Sequence, residues 1–199
     1  MRLVAGLALS LGAASTAAAC ADTLSRVPTL ALPVAKPGKQ ALRDFDFAKP
    51  AACLAAGDVQ QRVLVFAIGD YAPPLSISVD STPRRGTMLA PEVRVYDRAG
   101  KQLAAHDFTQ FRHRGETYAL TVYLNDAAAA GGYLAIAADP ASLGRKSTLL
   151  SADSYYVPIV TPVAMWNFFG STEGRRELSF AEAGAIRVRV ESGEPRAMD

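Results

Sequence analysis

Histidine and cysteine are scarce in this chain, with 2 of each among 199 residues. Two His cannot complete a His-rich metal site, and two Cys cannot complete a multi-cysteine zinc site. Charge of one sign is lacking too: 21 Lys and Arg stand against 19 Asp and Glu, a formal net charge of +2. That balance does not make the polybasic surface of a nucleic-acid reader, so no nucleic-acid partner is expected. Catalytic signatures are missing as well. The chain has no Gly-x-Ser-x-Gly elbow, no His-Glu-x-x-His helix, no phosphate loop and no Gly-x-Gly-x-x-Gly turn. His106 and His113 lie an odd number of residues apart, so an extended chain between them sends them to opposite faces. No catalytic residue, metal ligand or cofactor is assigned, and the expectation is a protein that is not an enzyme.

Long apolar runs are equally rare. Leu3 to Ala14 follows Met1-Arg2 and precedes the small residues Ser15 to Ala19. This is the three-part pattern of a secretory signal peptide over residues 1–19. The run is about a dozen residues, short of the roughly 20 that a membrane-spanning helix needs. Two readings of the next residue stay open. In one, Cys20 is acylated and anchors the chain to a membrane, the only membrane contact expected. In the other, Cys20 pairs with Cys53, as thiols of an exported chain commonly do. The two exclude each other because both use the Cys20 sulfur.

What is present is strand signal. Half of the residues are hydrophobic, but 37 of them are Ala, so the core is smaller than that share suggests. Residues 20–57 form an extended lead-in punctuated by Val27-Pro28, Leu32-Pro33, Lys36-Pro37 and Lys49-Pro50. Within it, Phe45 and Phe47 flank Asp46 in the period of a short edge strand. From residue 58 to 191 the chain reads as an all-β domain. Arg62 to Ile68 is a β-branched apolar run. Leu75 to Val79, Val93 to Tyr96, Tyr118 to Leu124, Tyr133 to Ile136 and Ala185 to Val190 alternate or nearly alternate. Alternation means one buried and one wet face. Lys101 to Phe108 is the hairpin partner of the Val93 strand, across the turn Asp97-Arg98-Ala99-Gly100. Short strands at this spacing predict a single β-sandwich, jelly-roll-like or Ig-like, with short helical turns. One such turn is Asp139-Pro140-Ala141-Ser142-Leu143-Gly144, with its cap, its Pro and its terminating Gly. Residues 192–199 form a flexible tail.

Aromatic residues concentrate late in the chain. Tyr155, Tyr156, Trp166, Phe168 and Phe169 stand close together, and Trp166 is the sole tryptophan. Gly170 and Gly174 bracket Ser171-Thr172-Glu173, which predicts a loop or hairpin tip there. Two readings of the rings stay open: a plug at one end of the core, or a binding surface with Arg175 beside it. A sugar ring or another envelope protein would be the occupant of such a surface.

The order of these elements resembles the maltose operon periplasmic protein family. The resemblance rests on the strand Ala90 to Asp97, Tyr133 to Ile136, Leu143 to Thr148, Tyr156 to Pro158, and Gly170 to Val190. It covers roughly residues 60 to 190. It implies an exported, non-enzymatic protein of the periplasm with an accessory or binding role in maltodextrin transport, and it brings no catalytic residues. The alternative is an assembly lipoprotein on the periplasmic face of the outer membrane, tethered at Cys20 and binding a protein partner. A small secreted hydrolase is a third reading for which no nucleophile is nominated.

Overall fold

Residues that alternate in the sequence alternate in space. In the computed structural model, which describes residues 20–33, 39–47, 52–56, 59–160 and 165–192, the strand Leu75–Thr82 is buried at every second position. The leader, the tail beyond 192 and parts of the lead-in lie outside the described residues. Among the described residues the chain is mostly β-strand, with helix limited to three 3-10 turns. Its strands are β1 (Thr29–Ala31), β2 (Gln40–Asp46), β3 (Ala52–Ala56), β4 (Val59–Ala67), β5 (Leu75–Thr82), β6 (Thr87–Leu89), β7 (Pro91–Tyr96), β8 (Gln102–His106), β9 (Arg112–Arg114), β10 (Thr117–Leu124), β11 (Tyr133–Ala138), β12 (Lys146–Val160), β13 (Met165–Ala181) and β14 (Ala185–Ser192).

They form three sheets. One runs β1-β4-β11-β7-β8, with β3 also on β4; a second runs β2-β14-β5-β10-β9; a third runs β12-β13-β6. The first two share one apolar core, and their registers set its rows. In the first sheet, Phe66 pairs with Leu134 and Leu134 with Val95, while Leu64 pairs with Ile136 and Ile136 with Val93. In the second, Val79 lies between Val188 and Leu120, and Ile77 between Val190 and Val122. All of these side chains belong to the same buried cluster. Burying an apolar side chain of this size stabilises by about 1.5–3 kcal/mol each, before the entropy of ordering the chain is charged against it.

The apolar run of β4 has its own cause. Leu64 and Phe66 face the shared core, whereas Val63 and Val65 face away from it. They are buried all the same, because the lead-in lies over that outer face with Val27, Leu24, Ala52 and Leu54. Ala135 and Ala137 of β11 join the same outer cluster. Cys20 and Cys53, joined in a disulfide, tie this cover together, and Ala21 N–H donates to the Cys53 carbonyl at 2.9 Å.

The single sandwich expected from the sequence is corrected. The third sheet is built on a hairpin whose two strands run 15 and 17 residues. Among the described residues, it is anchored at its base. Leu149, Leu178 and Phe180 enter the shared core, and Phe180 meets Phe108 edge-on at 4.7 Å between ring centres. The expected loop at residues 170–174 is corrected as well, since those residues continue β13. The one-turn helix stands where the sequence places it. Asp139 accepts from the Ala141 N–H at 3.0 Å and from the Ser142 hydroxyl at 2.6 Å, so both buried polar groups are satisfied. Phe45 lies on β2, which is an edge strand of the second sheet.

Candidate functional site

The part of β12 and β13 beyond the core forms an arm. Its sequence departs from the rest of the domain after the leader in one respect: residues 154–172 contain no Asp, Glu, Lys or Arg, the longest such stretch beyond residue 21. Asp153 and Glu173 close that stretch at the arm's base. In an antiparallel ladder, directly opposed residues share a face. Tyr155 opposes Gly170 and Val157 opposes Phe168 on one face; Tyr156 opposes Phe169 and Pro158 opposes Asn167 on the other, where Met165 also lies. Both faces are therefore apolar, and among the described residues neither is covered. Tyr155, Tyr156, Val157, Met165, Phe168 and Phe169 are all exposed, Phe169 by 74% of its surface.

Each face has its own packing. Tyr156 and Phe169 meet with ring centres 5.4 Å apart and planes tilted by 53°. The Tyr156 hydroxyl donates to Asn167 Oδ1 at 2.7 Å, along the diagonal of the ladder. On the opposite face the Tyr155 ring lies over Gly170, where a Cβ would come within 2.2 Å of it. The base carries further polar contacts. Lys146 pairs with Glu177 at 3.2 Å, and Tyr118 and Ser147 share a hydroxyl–hydroxyl hydrogen bond of 2.9 Å.

Among the described residues, no strand covers the outer edge of β12. The other edge of β13 takes β6 only at Ser179–Ala181. Among the described residues, its backbone from Met165 to Gly170 pairs with a strand on one side alone.

The structure thus brings Tyr155, Tyr156, Phe168 and Phe169 together and decides against the core plug for all four. Trp166 sits in β13 opposite Ile159, and its side chain lies outside the described residues. Arg175 is exposed opposite Leu150 near the base, about 17 Å along the strand from Gly170, so it does not join the rings. Met165 and Val157 were not legible as surface residues one by one. The uncharged stretch between Asp153 and Glu173 is the signal that marks them.

The remaining candidates are apart from one another. His106 Nδ1 bonds Gln110 Oε1 at 2.8 Å, and the His113 ring stacks near Tyr118 at 5.2 Å. Among the described residues, no three His, Cys, Asp or Glu gather in a metal-binding group, and no helix is long and apolar enough to cross a membrane. A cavity of about 530 Å³ opens where the two main sheets end, between Leu32, Ile68, Leu75 and Val190. Tyr71 on its wall donates to the Asp126 carbonyl at 2.6 Å, and burial pushes its hydroxyl above the usual phenol range. Comparison with protein families, with characterised proteins and with solved structures finds no match for this chain.

Proposed function

We propose that this chain is an exported, non-enzymatic protein of the cell envelope that works by contact, and that the aromatic arm is its contact surface for a protein partner. One observation carries the reading: an uncharged ribbon exposes large apolar side chains on both faces, and among the described residues no further strand pairs with β13 from Met165 to Gly170. Scattered surface hydrophobes are ordinary, but a contiguous exposed group of this kind marks an interaction site. Aromatic anchors of this type dominate protein interfaces. The Cys20–Cys53 disulfide supports export, since such bonds persist in oxidising compartments such as the periplasm. Residence on the periplasmic face of the outer membrane belongs to the alternative in which the Cys20 sulfur carries lipid instead.

The test is photocrosslinking in the producing cell. A photoreactive amino acid in place of Phe169 is expected to give protein adducts, while the same group in place of Leu103, exposed on the body, gives none. Adducts from neither position overturn the reading. Maltodextrin hydrolysis abolished by one carboxylate substitution would overturn its non-enzymatic part.

A role in carbohydrate uptake, implied by the resemblance, draws on a different local feature. The exposed Phe169 ring has the Tyr156 hydroxyl and the Asn167 amide beside it, an apolar plane flanked by polar groups. Titration with maltodextrin, followed by emission of the single tryptophan on the arm, tests that reading. An unchanged spectrum at saturating sugar rejects it.

A further inference from the structure

At one end of the two main sheets the core continues into open space. The cavity there measures about 530 Å³, inside the range of about 300–1,000 Å³ typical of small-molecule sites. Leu32, just past β1, lines one side, and Leu75 of β5 and Val190 of β14 line the other, with Ile68 at the end of β4 between them. Ile68, Leu75 and Val190 are buried members of the shared core, and Leu32 packs against it. Gly69 to Ala72 line the cavity where the chain crosses from the first sheet to the second.

The chemistry of this lining selects its occupant. Asp70, Tyr71 and Ser192 are its polar side chains. The Asp70 side chain is 91% exposed and stands 3.7 Å from Arg98, so it belongs to the water outside. The Tyr71 hydroxyl already donates to the Asp126 carbonyl at 2.6 Å. Asp70 apart, the lining carries no charge. A sugar, a nucleotide or a peptide strand would give up hydrogen bonds to water here and recover few of them. A strand would also need more width, because packed sheets lie about 10 Å apart and one layer of interdigitated side chains fills that gap. An unbranched aliphatic chain has no polar group to desolvate, and its cross-section matches the side chains it would continue.

Gly69 supplies a second observation. A Cβ there would meet nothing within 4 Å, and its φ lies outside the left-handed region. Gly144, by contrast, has a φ of +74°, and a Cβ at Gly132 would strike the Tyr96 carbonyl. Neither backbone conformation nor crowding calls for glycine at position 69. The missing side chain keeps that stretch of the lining open.

We propose that this cavity binds an unbranched aliphatic chain, inserted between the sheets along Leu32, Ile68, Leu75 and Val190, with its polar head in water beside Asp70. The chain is that of a free fatty acid or the acyl chain of a lipid. The cavity shares no residue with the arm, so the two sites stand or fall separately.

The experiment is isothermal titration calorimetry of the disulfide-intact protein with octanoate, decanoate and laurate. Each methylene that enters is expected to tighten binding about fourfold. The binding enthalpy is expected to become more negative as temperature rises, the mark of apolar burial. Gly69→Leu and Leu32→Trp add side-chain volume at the cavity. Each is expected to weaken laurate binding about tenfold or more with the melting temperature unchanged. Lauroyl-lysophosphatidylcholine separates the two sources: binding as tight as that of laurate identifies a lipid-borne chain, and binding of laurate alone identifies a free acid. Either supports the site. No binding at any chain length overturns it, as does affinity that ignores chain length or survives both variants. Binding lost in Phe169→Lys but kept in Gly69→Leu overturns it too, because the chain then lies on the arm. Binding gained only on removal of residues 193–199 also overturns it, since the protein then fills its own cavity.

Discussion

The Tyr155 ring lies across Gly170, its direct cross-strand partner, and fills the space a side chain there would take. This relationship explains how a glycine continues a strand. Gly170 has nothing of its own to pack, which weakens a strand interior, but the ring from the neighbouring strand covers its backbone. The ring is 46% exposed, so it has room to swing away. Gly170→Ala is expected to expel it, at a cost below about 1 kcal/mol to the arm and none to the body. Near-ultraviolet circular dichroism and tryptophan emission should change while the melting temperature holds. A fall of many degrees in that temperature would show that the arm and the body unfold as one unit.

The same pair shows what the sequence discloses and what it hides. In the body, β4, β5, β7, β8, β10, β11 and β14 were legible, while the short β6 and β9 were not. The alternation of Leu75 to Val79 and of Ala185 to Val190 reports one wet and one buried face, and those strands pair as Val188 with Val79 and Val190 with Ile77. The continuous run Val63 to Ile68 differs for a reason that its own residues do not state: a remote segment, the lead-in, covers its second face. The arm was misread because Gly170 and Gly174 carry the local signal of a turn, and only the ring of Tyr155 across the ladder overrides it at Gly170. Exposure of the rings was hidden too. Aromatics next to β-branched residues read equally well as core and as surface, and what separates the two is where the shared core ends, a property of three sheets and not of one segment.

Gly132 presents the opposite case to Gly170. A Cβ at this position would meet the Tyr96 carbonyl oxygen at 2.1 Å and the Asp97 backbone at 2.8 Å. These are backbone atoms of the β7 end and its turn, with no flexible side chain to yield. The Gly132 carbonyl also accepts from Ile68 N–H at 2.9 Å, which ties the start of β11 to the end of β4. Gly132→Ala is expected to destabilise the body by about 1–3 kcal/mol through forced backbone shifts. The midpoint of urea unfolding measures this. A variant as stable as the wild type would mean that the turn after Tyr96 relaxes freely.

Asp44 and Arg187 face each other on the outer side of the second sheet, Nε to Oδ1 at 2.7 Å. The hydrogen bond from Arg187, aided by its charge, holds the Asp44 carboxyl below its usual range. A carboxyl depressed in the folded state adds stability above its unfolded pKa of about 3.9, and that stability disappears as pH falls through the folded value. The side chains are 61% and 46% exposed, so solvent screens the pair and the whole effect should stay under about 1 kcal/mol. Carboxyl-detected NMR titration is the direct check. Arg187→Ala should return Asp44 to the ordinary carboxylate range and leave neutral-pH stability nearly as it was. An Asp44 titration that does not move would remove Arg187 as the cause.

The disulfide acts on a different scale, because it closes a loop in the unfolded chain. Cys20 and Cys53 are separated by 33 positions, for which the chain-entropy relation gives about 3–4 kcal/mol. In the folded state the bond holds the lead-in over Val63, Val65, Ala135 and Ala137. Its loss should therefore have two signatures at once. Cys20→Ser with Cys53→Ser should lower the stability of the body by about that amount, and the outer face of the first sheet should become accessible to an apolar dye in conditions where the wild type excludes it. Reduction of the wild type should reproduce both effects. If the unfolding curves with and without reductant superimpose, the cover is held by packing alone. Intact mass of the purified protein belongs to the same experiment: a thioether-linked diacylglycerol on Cys20 would take the sulfur that the bond requires, and the lead-in would then owe its place to Val27, Leu24 and Leu54.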